Sequence, residues 1–184
     1  MKATSLALEG VFLLEPQIFS DDRGSFFESF NADRFSDAIG REVRFVQDNE
    51  SYSAQRVLRG LHYQIGKPQG KLVRVVNGSV FDVAVDLRRT SPTFGGWVGE
   101  LLSAENKKQL WIPEGFAHGF LAISEGAQFQ YKVTDYWSKE HERCIRYDDP
   151  TLAIEWPSIQ SKGPILSEKD LDGVSLQDTD TFEG

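Results

Sequence analysis

Apolar and polar side chains alternate along much of this chain, most cleanly over residues 80–87, VFDVAVDL. Phe81, Val83, Val85 and Leu87 fall on one face, and Asp82, Ala84 and Asp86 on the other, which is the period of a β-strand. Aspartates on a strand's polar face usually meet solvent; in a barrel that face lines a cavity. Further short runs of this kind fill residues 43–133, divided by Pro, Gly and Asn at the roughly 8–12-residue spacing of a sandwich or barrel. Residues 88–97, RRTSPTFGGW, read as a loop, and the apolar run after Gln109 is interrupted by Pro113 and Gly115.

Ahead of these runs, GVFLLEPQIFSDDRGSFFESF predicts two strands around an Asp-Asp-Arg-Gly turn, where Gly24 supplies a positive φ. The helical period appears briefly. In NADRFSDAIG, Asn31 caps the start, Phe35 and Ile39 lie one turn apart, and Gly40 closes the end. A weaker capping pattern, Ser167 before EKDL, predicts one more helical turn near the C-terminus. With 184 residues and 40% hydrophobic content, the chain is expected to form one domain over 1–184.

Charge narrows the range of partners. A net charge of −8 opposes general nucleic-acid binding, which needs a surplus of cations on one face. A small anion needs only a local cation cluster. The single cysteine, Cys144, forms no internal disulfide and suits a reducing cytoplasm. No stretch approaches the roughly 20 apolar residues of a membrane span, and no export signal is recognised, so membrane association is not expected.

Three histidines limit histidine chemistry to three positions. His141, in SKEHER, reads as a solvated surface residue, and His118, in PEGFAHGF, as structural or functional in an apolar setting. His62 stands in LRGLHYQ beside Arg59, with Lys71 nine residues further on. Its bland reading is the wet side of a strand. No nucleophile elbow or glycine-rich phosphate loop occurs. A metal site usually draws two ligands from an H-x-H pair, and Gln64 occupies the second place, so no catalytic metal is expected. A histidine base, a lysine and a tyrosine acid suit proton abstraction beside a carbonyl. Spacing alone does not show that these three meet.

Taken in order, FSDDRGSFFESF, LRGLHYQ, PQGKLVRVVNGSVFDVAVDLRRTSPTFGGWVG, LSAENKKQLWIPEGFAHGF, YKVTDYW, IRYDDPTLAIEWP and PILSEKD closely resemble the dTDP-4-dehydrorhamnose 3,5-epimerases, over about residues 10–171. The resemblance implies an all-β fold, a cupin-type jelly-roll barrel with a few short peripheral helices. It also implies a homodimer, no metal or cofactor, and a dTDP-linked 4-keto-6-deoxy sugar as substrate. By it, His62 is the base, Asp170 its partner, Lys71 the group that holds the enolate, and Tyr131 the acid. Asp82 and His118 match a polar pair lining the cavity. Arg23 and Arg59 match diphosphate contacts; Phe19, Glu28, Gln47 and Asn49 match nucleotide or diphosphate contacts, some of them across the dimer. Trp137 stands where many members carry tyrosine, and its indole is expected to stack on thymine.

In a regular strand Arg59 and His62 face opposite sides, so Gly60 is the expected site of a bulge that brings both into one cavity. Relatives that invert only C3 or only C5 use the same base and acid, and stand as an alternative reading. A metal-dependent cupin enzyme and a non-catalytic nucleotide-sugar binder are the others.

Overall fold

A computed structural model describes residues 1–158 and 162–183. The chain runs through β1 (Lys2–Ser5), β2 (Phe12–Glu15), β3 (Ile18–Asp21), β4 (Gly24–Phe27) and α1 (Ala32–Ile39). There follow β5 (Gln47–Ala54), β6 (Leu58–Gln64), β7 (Lys71–Asn77), β8 (Ser79–Asp86), β9 (Trp97–Ser103), β10 (Gln109–Ile112), β11 (Phe116–Ala122), β12 (Gly126–Val133), β13 (Glu142–Cys144) and α2 (Glu168–Leu171). Two antiparallel sheets, ordered β1-β2-β10-β7-β12-β5 and β13-β6-β11-β8-β9, face each other as a jelly-roll barrel. The β3–β4 hairpin forms a separate two-stranded sheet. The predicted Asp-Asp-Arg-Gly turn therefore joins β3 to β4, while residues 12–15 form their own strand in the larger sheet.

Three apolar layers hold this frame. Between the sheets, Leu13, Val73, Leu110 and Phe129 meet Val80, Ala84, Leu102 and Phe120. Outside the six-stranded sheet, α1 lays Phe35 edge-on to Trp111, ring centroids 5.3 Å apart. Burying such a ring stabilises the fold by about 1.5–3 kcal/mol. As the sequence predicts, the Asn31 side chain accepts from the Arg34 amide at 3.1 Å, and Gly40 ends the helix at φ 74°.

The third layer decides which face of β8 points inward. Leu61, Tyr63, Val83, Val85 and Leu87 lie on the outer face of the five-stranded sheet, beneath Ile145, Leu152 and Leu176 of the C-terminal segment. The Tyr63 hydroxyl anchors that cover 2.6 Å from Thr179 Oγ1. Asp82 and Asp86 are consequently fully buried. Asp86 is tied to Arg88, Ser91 and Thr93. Burial raises its pKa, but those hydrogen bonds outweigh burial and bring it down to about 2.

Candidate active site

Strand β6 builds the first wall of the site. Beside β11 its register places His62 opposite His118 and Arg59 opposite Phe120, so two residues lie between the pairs on β6 against one on β11. The extra residue falls at Gly60, whose φ is +126°. A Cβ there would stand 2.5 Å from the Gly119 Cα, so this position requires glycine. The expected bulge is present, and Arg59 and His62 line one cavity of about 440 Å³.

The opposite wall belongs to the other sheet. Gln47 and Asn49 come from β5, Lys71 from β7 and Tyr131 from β12, and all four line the same cavity. Gln47 Nε2 donates to Asn49 Oδ1 at 2.8 Å. Trp137, more than half exposed, stands at the rim. Phe120 and Phe129 stack at 4.3 Å and supply apolar wall.

His62 is supported from behind by α2. The Ser167 cap is a full capping box: the Asp170 amide donates to the Ser167 hydroxyl at 3.3 Å and the Ser167 amide donates to Asp170 Oδ2 at 3.4 Å, with the Ser167 hydroxyl also donating to Oδ2 at 2.5 Å. Asp170 Oδ1 accepts from the Gly60 amide at 3.1 Å and lies 2.8 Å from His62 Nε2. That last approach is oblique, without a straight N–H to oxygen line. Burial raises the Asp170 pKa, but the contact with His62, the Ser167 hydroxyl and the Gly60 amide outweigh it and hold the carboxyl far below its usual range. For His62, burial dominates and lowers the pKa; Asp170 opposes it, while Lys169 and Lys71 reinforce it. The imidazole is a neutral acceptor at pH 7.

Lys71 Nζ donates to the His62 carbonyl at 3.2 Å. Burial lowers its pKa to about 8 against the pull of Asp82 and Glu142, which leaves it mostly charged at neutral pH. Burial pushes the Tyr131 phenol above its ordinary value, with Arg59 opposing, so it keeps its proton. His118 forms a second pair, with Nε2 2.9 and 3.1 Å from the two oxygens of Asp82.

The predicted site residues divide into three groups. Gln47, Asn49, Arg59, His62, Lys71, His118, Tyr131 and Trp137 line the cavity together. Asp82 and Asp170 do not line it; they are 0% and 4% exposed and stand behind the two histidines. Phe19 and Arg23 lie on the outlying β3–β4 hairpin, where Arg23 pairs with Asp21 at 2.5 Å. Glu28 is held by Arg34 at 3.1 Å. None of these three reaches the cavity within one chain. Rather than being fully solvated, His141 is half-buried, its ring against Gly66.

Sequence reasoning missed Glu142 and Lys169, which form an ion pair and both line the cavity. SKEHER reads as a solvated charge run, yet β13 pairs Glu142 with Gln64 at the edge of the five-stranded sheet. Adjacency to Asp170 in a capped turn was the only available signal for Lys169. The lining thus gathers the cations of Arg59, Lys71 and Lys169 around one carboxylate, Glu142, on a chain of net charge −8. Such a cluster suits an anionic ligand. Cys144 lies behind His62, and burial raises its thiol to about 12, so it is no nucleophile at neutral pH.

Comparison with known proteins identifies the family and supports the fold. The family model for dTDP-4-dehydrorhamnose 3,5-epimerase matches residues 5–178. The dTDP-4-dehydrorhamnose 3,5-epimerase of Pseudomonas aeruginosa is 63% identical over 99% of both chains. That of Escherichia coli is 55% identical over 92% of this chain and 91% of its own. The dTDP-6-deoxy-D-glucose-3,5-epimerase of Legionella pneumophila, solved in complex with dTDP-4-keto-L-rhamnose, superposes with a TM-score of 0.93 at 51% identity, covering 97% of this chain and 94% of that one. With its cupin-like barrel and near full-length matches, the chain belongs to the dTDP-4-dehydrorhamnose 3,5-epimerase family.

Proposed function

We propose that this protein, acting as one domain, is a dTDP-4-dehydrorhamnose 3,5-epimerase of dTDP-L-rhamnose biosynthesis. It converts dTDP-4-dehydro-6-deoxy-D-glucose to dTDP-4-dehydro-L-rhamnose. The observation that carries the reading is one cavity lined by His62, Lys71 and Tyr131 in a chain so similar to named epimerases.

The C4 ketone acidifies the hydrogens on C3 and C5. His62 takes one of them: Nε2 is turned to Asp170, and Nδ1, with no hydrogen bond among the described residues, is left to face the cavity. Charged Asp170 orients the ring and stabilises the imidazolium. Lys71 holds the enolate oxygen. Tyr131, on the opposing sheet, returns a proton to the opposite face. Inversion at one centre and then the other needs only these side chains, with no metal or cofactor.

Arg59, Gln47, Asn49 and Trp137 bind the nucleotide diphosphate, Trp137 by stacking on the base. Phe19, Arg23 and Glu28 reach the ligand from a second copy of the chain in a homodimer. Support for that arrangement is the outlying hairpin, which leaves the Arg23 side chain 90% exposed. A cytoplasmic location is part of the reading, as for a chain with one cysteine. Among the described residues no helix is long and apolar enough to cross a membrane.

Incubation with the 4-keto sugar nucleotide in deuterated water tests the reading. Label at both C3 and C5 of an inverted product is expected. Label at one centre alone replaces it with a mono-epimerase, and no exchange at either leaves a binding protein.

A further inference from the structure

Cys144 has no part in the mechanism above, yet it stands directly behind the base. Strand β13 makes it the cross-strand partner of His62. One donor atom each from His62, Cys144 and Asp170 lie within 4.8 Å of one another. A nitrogen, a sulfur and a carboxylate oxygen are a zinc donor set. Tetrahedral zinc, with bonds of about 2.0–2.3 Å, holds its ligand atoms about 3.3–3.8 Å apart. The spread seen here is within reach of side-chain adjustment.

The three donors are mounted on separate, fixed elements. His62 lies in β6, Cys144 in β13, and Asp170 in α2, where Ser167 and Gly60 clamp its carboxylate. His62 Nε2 is buried and lacks a straight hydrogen bond, although Asp170 Oδ1 is 2.8 Å away. A cation seated beside the sulfur satisfies that nitrogen and the carboxylate together.

We propose that His62, Cys144 and Asp170 form an inhibitory site for a thiophilic divalent cation such as Zn²⁺, whose binding withdraws the base from turnover. Binding forms Zn–S, Zn–N and Zn–O bonds and breaks the S–H bond, whose proton passes to solvent, while the imidazole proton moves from Nε2 to Nδ1 and so blocks the base; nothing is oxidised or reduced. Because burial favours the protonated thiol, the proton competes with the metal, and affinity is modest. The inhibitory effect, though not the metal site itself, rests on His62 being the base.

The full chain is titrated with Co²⁺ as a spectroscopic probe, and turnover is measured against Zn²⁺ with and without chelator. A sulfur-to-cobalt charge-transfer band saturating at one ion per chain is expected, with Zn²⁺ inhibition reversed by chelator. Cys144→Ser should lose the band, keep metal-free turnover, and need at least about tenfold more Zn²⁺ for half-inhibition. Cys144→Ala serves equally if the serine variant folds poorly. Absence of the band from the parent protein, or equal Zn²⁺ sensitivity in parent and variant, overturns the site. A band without inhibition overturns the inhibitory claim, and turnover of a His62→Ala variant then shows separately whether the base assignment has failed.

Discussion

Two histidine–aspartate pairs lie side by side across β6 and β11, where His62 and His118 are register partners, and they are built differently. Both aspartates are shut away, at 4% exposure for Asp170 and 0% for Asp82. Asp170 accepts from the Gly60 amide and the Ser167 hydroxyl besides facing His62. Among the described residues the Asp82 carboxylate has hydrogen bonds only with His118. Burial accordingly raises the Asp82 pKa against the pull of His118 and Lys71, while Asp170 remains charged. The number of donors, more than depth, decides the direction in which each carboxyl is shifted. The histidines differ to match: the His62 side chain is 26% exposed and that of His118 9%. One pair presents the more open imidazole to the cavity, the one assigned above as the base, and the other sets a more enclosed imidazole into its wall.

The sharpest break in that comparison is removal of each ring. His62→Ala should lower turnover by about 10²–10⁴-fold while leaving dTDP affinity nearly unchanged, because the base acts only in the chemical step. His118→Ala should cost much less. Equal losses in steady-state turnover would make the two pairs equivalent and remove the special role of His62.

Tyr131 tests the opposite wall. Tyr131→Phe should lose about 10²–10⁴-fold in complete epimerisation, the range of a positioned general acid. His62 should still exchange substrate hydrogen for deuterium with retention, since it hands back what it takes. If NMR finds exchange and inversion both at parental rates, the acid lies elsewhere, in Tyr136 or an ordered water.

The carboxylates themselves come next. Asp170→Asn should lower kcat by about 10²-fold, since an amide supplies no charge to stabilise the imidazolium. Asp82→Asn should change stability by only about 1 kcal/mol, the worth of a hydrogen bond that the amide can partly replace. Denaturant melts and kcat for the two variants separate these outcomes. A larger kcat loss in Asp82→Asn reverses the assignment of roles.

The smallest effect is the pH profile, and its sign follows from the two titrating groups. His62 must be neutral, so kcat/KM rises with pH through a value that burial sets below 6.5. Lys71 must be charged, so kcat/KM falls as pH rises through about 8. Each limb should change by about tenfold per pH unit. Loss of the acid limb in a His62 variant with residual activity, and its survival in His118→Ala, assigns that limb to His62.

Much of this arrangement is legible in the sequence where the signal is local. Asn31 and Gly40 mark a helix because side-chain capping and a left-handed glycine act within one turn. Gly60 marks the bulge between Arg59 and His62 because an odd separation otherwise divides them between faces. Ser167 marks the turn that carries Asp170, although its cap does not disclose that the same carboxylate meets His62. The family motifs name the base, lysine and acid, but their spacing does not bring β6, β7 and β12 around one space. That needs two sheets closed face to face.

By itself, the sequence determined the strand period, both capped helices, the required glycine and the family to which the chain belongs. The tertiary structure decided which face of VFDVAVDL is inside. Alternation defines two faces without ranking them, and the outer one is apolar because Ile145, Leu152 and Leu176 return from the distant C-terminal segment to cover it. It also drew Glu142 and Lys169 out of charged stretches into the cavity, and left Phe19 and Arg23 on a hairpin beyond it. These placements depend on contacts between residues far apart in the chain, where no local preference of backbone or side chain acts.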